Sequence, residues 1–186
     1  DLEYPSGDHP KFVTFRPNLN DQGTAWQTEG PNWSEKCYFK FSNSTILSSP
    51  VVAFYSVLEI NQDIAEERVL ASFVNSLSGK RLDVKVSSYN VSYIFNGTQI
   101  YTFDASGQDH IMIGFHIPTL SDTFGYEISN FFSSFENLDI YIGGAPDTSS
   151  QTYKTFEGKI YKVSFVDEYG YDELEEHFIS QGFVDY

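Results

Sequence analysis

The stretch Arg81-Leu82-Asp83-Val84-Lys85-Val86-Ser87 decides the fold class, because apolar and polar residues alternate along it. In an extended chain, a period of two places Leu82, Val84 and Val86 on one face and the charged residues on the other. We therefore predict a β-strand with one buried face and one face in contact with water.

Other runs rich in Phe, Tyr, Val and Ile lie between clusters of Gly, Pro, Asn, Asp and Ser, which is typical of strands separated by turns. The nearly all-apolar run Ile111-Met112-Ile113-Gly114-Phe115 is expected to be a central strand that lies deep between two sheets. Asn96-Gly97 is the strongest hairpin signal. The further predicted strands are 11–16, 37–41, 51–60, 68–75, 91–95, 99–103, 110–117, 138–143 and 159–167.

The pattern changes only near the end of the chain, where Tyr171, Leu174 and Phe178 follow helical spacing. Acidic residues fill the opposite side, so we predict an amphipathic helix over residues 171–181. A length of 186 residues fits one domain, 1–186. The sequence thus predicts an all-β, jelly-roll-like antiparallel β-sandwich with one short C-terminal helix.

The net charge of −15, from 11 Lys and Arg against 26 Asp and Glu, disfavours binding to nucleic acid and to anionic lipid. No apolar run approaches the roughly 18 residues that a membrane span requires, so we expect no membrane insertion. Because the chain begins at Asp1 without Met, we expect a processed product.

Four Asn-x-Ser/Thr triplets indicate an extracellular glycoprotein, either secreted or at the cell surface. The alternative is a bacterial or cytosolic chain in which these triplets carry no glycan. Cys37 is the only cysteine, so an intrachain disulfide is excluded, and we expect it to be a small core residue. The predicted glycosylation sites are Asn32, Asn43, Asn90 and Asn96.

Two segments carry a family resemblance: Leu138-Asp139-Ile140-Tyr141-Ile142-Gly143-Gly144-Ala145-Pro146, and the run from Phe156 to Phe165. Together they resemble laminin-G-like domains of the concanavalin-A-like lectin/glucanase superfamily, in which an Ile-Gly-Gly turn precedes a closing Phe-x-Gly-x-Ile strand. Gly158 would permit close backbone approach beside an inward Phe156. Lys159 departs from the animal pattern, where a disulfide-forming Cys is usual. The resemblance implies a concanavalin-A-like sandwich and, as one alternative, carbohydrate binding.

The sequence offers little support for catalysis. Glucanases of this superfamily resemble one another in a Glu-x-Asp-x-x-Glu strand, which this chain lacks. Its nearest carboxylates are Glu59, Asp63 and Glu66, and their spacing is wrong for a shared cleft. There is also no Gly-x-Ser-x-Gly elbow for a serine nucleophile. We therefore predict a protein that is not an enzyme.

Metal binding has one candidate, calcium, because Asp and Asn oxygens in loops suit this ion. The candidate loops are 18–21, 104–109 and the segment around Asp147. Ordinary turn chemistry is the alternative for all three. His110 and His116 would lie about 20 Å apart along one strand, too far to share an ion, so we expect structural histidines at strand ends.

Aromatic residues are unusually frequent, with 17 Phe, 13 Tyr and 2 Trp. Packing under loops accounts for many of them, but Tyr and Trp at a surface also stack on sugars and anchor protein interfaces. The candidate contact residues are Trp26, Trp33, Tyr89, Tyr93 and Tyr153.

The N-terminal segment 1–17 allows two interpretations. Phe12 on one side and Val13 and Phe15 on the other offer apolar groups to both faces of a strand. This strand could belong to the chain's own sandwich, or it could extend as an arm onto a neighbouring molecule and build a filament.

These patterns lead to two functional hypotheses. The first is a non-enzymatic extracellular structural or adhesive module, a self-associating subunit whose partners are its own copies or surface proteins. The alternative is a carbohydrate-binding, lectin-like domain whose partners are glycans.

Overall fold

The protein is an antiparallel β-sandwich of two six-stranded sheets. This architecture is seen in a computed structural model that describes residues 2–3, 12–15, 26–27, 38–42, 50, 53–60, 65–107, 111–156 and 158–166. Every pair of neighbouring strands in both sheets is antiparallel. The predicted fold class is therefore confirmed.

The first sheet is built around a long closing strand near the end of the described chain. This strand pairs with one strand on each side and also with a short third strand. The order is β1 (Leu2–Glu3), β2 (Phe12–Phe15), β12 (Gly158–Val166), β5 (Ala53–Ile60) and β10 (Ile111–His116), with β3 (Trp26–Gln27) beside β12.

The second sheet contains the strand that decided the fold class, β7. Its order is β4 (Phe39–Ser42), β11 (Leu138–Ile142), β6 (Arg68–Asn75), β7 (Arg81–Ser87), β8 (Asn90–Phe95) and β9 (Thr98–Asp104). The predicted bounds of β6 and β7 match the structure, and Asn96-Gly97 forms the β8–β9 hairpin turn with positive φ at both residues.

Aromatic rings fill the space between the sheets. Phe54 of the first sheet contacts Phe73 of the second edge to face, with ring centroids 5.4 Å apart, and stacks on Phe165 at 5.7 Å. Leu82, Val84 and Val86 lie in the same core, as their period predicted. Aromatic contacts of this geometry add to the free energy gained from apolar burial.

Two short helices follow β10, α1 (Ile117–Phe124) and α2 (Glu127–Ser133), and a 3-10 turn, Phe135–Asn137, precedes β11. The sequence interpretation missed both helices; its single predicted helix, 171–181, lies outside the described residues. Across the part of the chain that is described, no helix is long and apolar enough to cross a bilayer.

The prediction that the run from Ile111 to Phe115 is a central strand is wrong for the described part of the chain, because β10 ends the strand order of the first sheet there. Its inward side chains are nevertheless buried. One reason is that α2 packs beside it: the rings of Phe115 and Phe132 lie 6.2 Å apart. The strand is apolar because its inward side chains pack against a helix and the core.

The strand β2, which contains the apolar residues of the N-terminal segment, lies in the chain's own first sheet. Phe12, Val13 and Phe15 of β2 pair with Val166, Phe165 and Val163 of β12, respectively. The pairing of β2 with β12 corresponds to the first of the two predicted alternatives, in which the strand belongs to the chain's own sandwich. It gives no support to the second alternative, an arm that extends onto a neighbouring molecule.

Gly158 begins β12 at a point of close contact. Its φ is +153°, and a Cβ there would contact the backbone carbonyl of Glu59 and lie 2.8 Å from Cζ of Phe156. The predicted close approach beside Phe156 is confirmed.

We expect Gly158→Ala to lower the free energy of unfolding by about 2 kcal/mol or more, because neither the carbonyl nor the buried ring can move away freely. Gly107→Ala is the matched control: φ there is +80°, but a Cβ would meet open space. Its cost should be limited to backbone strain, about 1 kcal/mol. Urea denaturation measures both, and equal costs would contradict the steric account.

Candidate functional site

A cleft among the described residues lies on the outer face of the second sheet, over β7 and β8. Its volume is about 690 Å³. The floor is formed by the charged side chains of β7 that alternate with its core residues, and by Ile94 of β8. The other lining residues are Glu67, Ser78, Gly79, Lys80, Asn96, Gly97, Thr148, Ser150, Gln151 and Tyr153.

The face of β7 that was predicted to be solvated is in fact covered. Asp83 is 3% exposed and Lys85 is 6% exposed. The covering segment is the loop from Gly143 to Phe156, which crosses the outer face after leaving β11. Tyr153 of this loop packs with Val69 and Tyr141 in a second, smaller apolar cluster.

Backbone hydrogen bonds fix this loop at both ends. Gly143, with φ +88°, turns the chain out of β11, and its N–H donates to the carbonyl of Leu70 at 2.7 Å. Phe156 N–H donates back to the Gly143 carbonyl at 3.0 Å, and Val69 N–H donates to the Lys154 carbonyl at 2.9 Å. The loop is therefore closed at its base and tied to β6.

Asp83 is the buried charge at the centre of the floor. Register places Ser72 of β6 directly opposite it, and the Ser72 hydroxyl donates to Oδ1 at 2.6 Å. Arg81 Nε lies 3.0 and 3.1 Å from the two carboxylate oxygens, and Arg81 Nη2 also reaches the Ser72 oxygen at 3.2 Å. A buried carboxylate requires such partners, because its desolvation is costly otherwise.

Tyr153 completes the floor by packing on the cations. The Arg81 guanidinium lies 4.0 Å from its ring centroid, and Lys85 Nζ lies 5.3 Å from it. Lys85 is also ion-paired with Glu67 at 3.1 Å. Burial raises the pKa of the Tyr153 phenol, the Asp83 carboxylate raises it further, and Arg81 opposes both. The hydroxyl donates to Gln151 Oε1 at 3.1 Å.

The cleft differs in charge from the protein as a whole. Lys80, Arg81 and Lys85 line it with only two carboxylates, those of Asp83 and Glu67, in a chain of net charge −15. Both carboxylates are ion-paired to cations of the cleft itself. The site therefore presents fixed donors and acceptors with a slight excess of positive charge.

Of the predicted aromatic contacts that the structure describes, only Tyr153 lines the cleft. The prediction that Tyr93 is a surface contact is wrong. Tyr93 is fully buried, and its hydroxyl donates a hydrogen bond to the Gly114 carbonyl at 2.9 Å. Tyr89 is half-buried in the turn before β8. Trp26 lies on β3 opposite Ile160. Trp33 lies outside the described residues.

Two of the predicted glycosylation sites fall in the described chain. Asn90 is exposed at the start of β8, and Asn96 is exposed at the rim of the cleft. The Asn96 side-chain oxygen accepts a hydrogen bond from Arg81 N–H at 2.9 Å, which helps to shape the hairpin turn. Asn32 and Asn43 lie outside the described residues, and glycosylation at all four remains a prediction.

The calcium candidates that are described take part in loop chemistry. Asp104 Oδ1 accepts the N–H of Ser106, and Asp147 Oδ1 accepts the N–H of Tyr153, both at 2.8 Å. Within the described ranges, no three His, Cys, Asp or Glu side chains are grouped to hold a metal. The loop 18–21 and His110 lie outside those ranges. His116 Nδ1 lies 2.9 Å from Thr119 Oγ1, as expected of a structural histidine at a strand end.

Comparison with known proteins gives two distant structural likenesses. No family model matches the chain, and no curated protein does. One solved structure, Ruminococcus gnavus IT-sialidase CBM40 bound to alpha2,3 sialyllactose, is 13% identical with a TM-score of 0.49, covering 73% of this chain and 84% of that one. Another, NanB plus Optactamide, is also 13% identical, with a TM-score of 0.44, covering 75% of this chain and 26% of that one. These are likenesses of fold at low identity, and they assign no ligand to this chain.

The Asp83 network can be tested through stability. We expect Asp83→Asn, which keeps the volume but removes the charge, to cost about 3 kcal/mol of unfolding free energy, because Arg81 is left poorly paired. Ser72→Ala is the control in the same network and should cost about 1 kcal/mol. Urea denaturation measures both losses of unfolding free energy. If Asp83→Asn loses no more than Ser72→Ala, the role assigned to the carboxylate is contradicted.

Proposed function

We propose that this protein is a non-enzymatic, carbohydrate-binding, lectin-like domain whose binding site is the cleft over β7 and β8. The observation that carries the proposal is the fixed polar floor of Arg81, Asp83, Lys85 and Tyr153. Sugar hydroxyls both donate and accept hydrogen bonds, so a site for them needs donors and acceptors side by side. The floor and the Thr148–Gln151 rim supply both kinds of group.

Preorganisation supports the proposal. Arg81 and Lys85 carry long side chains whose immobilisation on binding would normally oppose affinity. Here Asp83 and Glu67 hold them in place in the free protein, and the Tyr153 ring packs against both. Binding therefore costs little additional side-chain entropy.

The size and polarity of the cleft favour a small polar ligand. A volume of about 690 Å³ lies within the range of small-molecule sites, roughly 300–1,000 Å³. Its aliphatic contribution is the half-buried Ile94, and the Tyr153 ring is already covered by cations. A mostly apolar ligand would find few partners among these groups.

The self-associating structural module ranks second. One of its sequence arguments was the N-terminal arm, but Phe12–Phe15 pairs with β12 of the same chain. We retain the extracellular location as part of the proposal, on the basis of the four glycosylation triplets. We also retain the laminin-G-like resemblance, supported by the turn at Gly143 and the close approach at Gly158.

A glycan array followed by calorimetric titration tests the proposal. Lys85→Met should weaken binding of the strongest array glycan at least tenfold, because it removes an ammonium from the floor while keeping the length of the side chain. Lys154→Met is the matched control, since Lys154 is ion-paired to Glu66 but does not line the cleft. Its affinity should equal that of the wild type.

Thermal unfolding tests whether both variants are folded. If Lys85→Met does not fold, Ser150→Trp at the exposed rim replaces it, because the indole would fill the cleft and should abolish binding. Absence of binding to any glycan, or equal loss in Lys85→Met and Lys154→Met, would contradict the proposed function.

A further inference from the structure

A second cleft adjoins the first across the turn between β6 and β7. Its volume is about 440 Å³, and it shares Ser78 and Lys80 with the larger cleft. The remaining lining comes from Asn75 and from residues of and around α2, chiefly Tyr126, Glu127 and Asn130. The two clefts are therefore neighbouring parts of one polar groove.

Tyr126 presents an unusually exposed ring to this second cleft. It is 72% exposed, whereas most other large aromatic rings whose burial the structure describes are buried or partly buried. Among the described residues its hydroxyl has no hydrogen-bond partner, whereas that of buried Tyr93 does. Neither core packing nor a hydrogen bond accounts for an aromatic residue at this position.

The backbone that carries this ring is nevertheless firmly held. The Tyr126 carbonyl accepts the N–H of Asn130 at 3.1 Å, and the next turn of α2 is anchored by Ile128, which is buried. Phe131 forms the floor of the cleft and packs on Phe95 at 5.6 Å. An exposed tyrosine on a rigid backbone has only two side-chain torsions to fix on binding, which keeps the entropy cost low.

Unused polar groups surround the ring. Among the described residues, the side chains of Lys80, Glu127 and Asn130 form no ion pair or hydrogen bond. The Asn75 side chain differs from these three, because its oxygen accepts hydrogen bonds from the N–H groups of Leu77 and Ser78, both at 3.0 Å. These two bonds fix the turn that separates the clefts.

We infer that the second cleft is a sugar subsite, so that the protein recognises an oligosaccharide rather than a single sugar. This inference rests on the proposed function of the first cleft. One sugar lies in the first cleft, the chain crosses the turn beside Lys80, and a following sugar stacks on the Tyr126 ring. Glu127 and Asn130 then bond its hydroxyls. An amphipathic ring face suits the apolar face of a pyranose, while the polar groups suit its edge.

The test uses an array that carries each glycan as a mono-, di-, tri- and tetrasaccharide, with calorimetry on the strongest length series. The wild type should bind the trisaccharide or tetrasaccharide at least tenfold more tightly than the monosaccharide. Tyr126→Ala should lose about fivefold to tenfold in affinity for the longer forms and leave the monosaccharide affinity unchanged. Tyr126→Phe should retain most of the length dependence, because the ring is kept.

Leu77→Ala is the matched control. Leu77 is 79% exposed at the tip of the same turn but lines neither cleft, so its removal should change no affinity. Binding that is independent of chain length, or a Tyr126→Ala variant with wild-type affinity for the tetrasaccharide, would overturn the subsite while leaving the proposed function intact. Absence of binding at every length would instead overturn the proposed function, and the subsite with it.

Discussion

The burial of Asp83 is the constraint on which the outer face of the second sheet depends. A carboxylate removed from water needs a nearby positive charge and hydrogen-bond donors, and Arg81 and Ser72 supply them. The partners follow from strand geometry: Arg81 is two residues away on the same face, and Ser72 is the register partner on β6. Once Arg81 is held in this way, its guanidinium provides the surface on which Tyr153 packs.

The two faces of β7 thus perform different tasks. The inner face contributes Leu82 and Val84 to an aromatic-rich core that holds the sheets together. The outer face holds a covering loop through backbone hydrogen bonds, through the charged side chains and through the Tyr153 ring, and leaves a cleft beside them. A core would exclude a polar ligand, and a fully solvated face would not fix its side chains in advance. The intermediate environment provides both access to the site and preorganisation.

Much of the fold could be predicted from the sequence, because alternation is a local signal; 68–75 and 81–87 are strands with the expected bounds. The two helices were missed because both are short and the first follows directly on an apolar strand. Tyr93 could have been assigned to the core, since it is in phase with buried Val91 and Phe95. Of the candidate site, the sequence analysis named Tyr153 as one of five aromatic candidates and the rim residue Asn96 as a glycosylation site, but it did not predict the cleft itself. Tyr153 lies far along the chain from β7, and no local pattern indicates that a loop returns to cover it.

The central claim is that the cleft on the outer face is preformed and binds glycans. Amide chemical shifts measured during titration with the strongest array oligosaccharide test it most directly. The account predicts that the largest changes fall on β7 and Tyr153 of the floor, on the Asn96-Gly97 turn, on the Thr148–Gln151 rim and on Tyr126–Asn130 of the second cleft, with little change on the first sheet. Changes centred on β5 and β12 of the first sheet, with the Arg81 and Tyr153 amides unaffected, would contradict it.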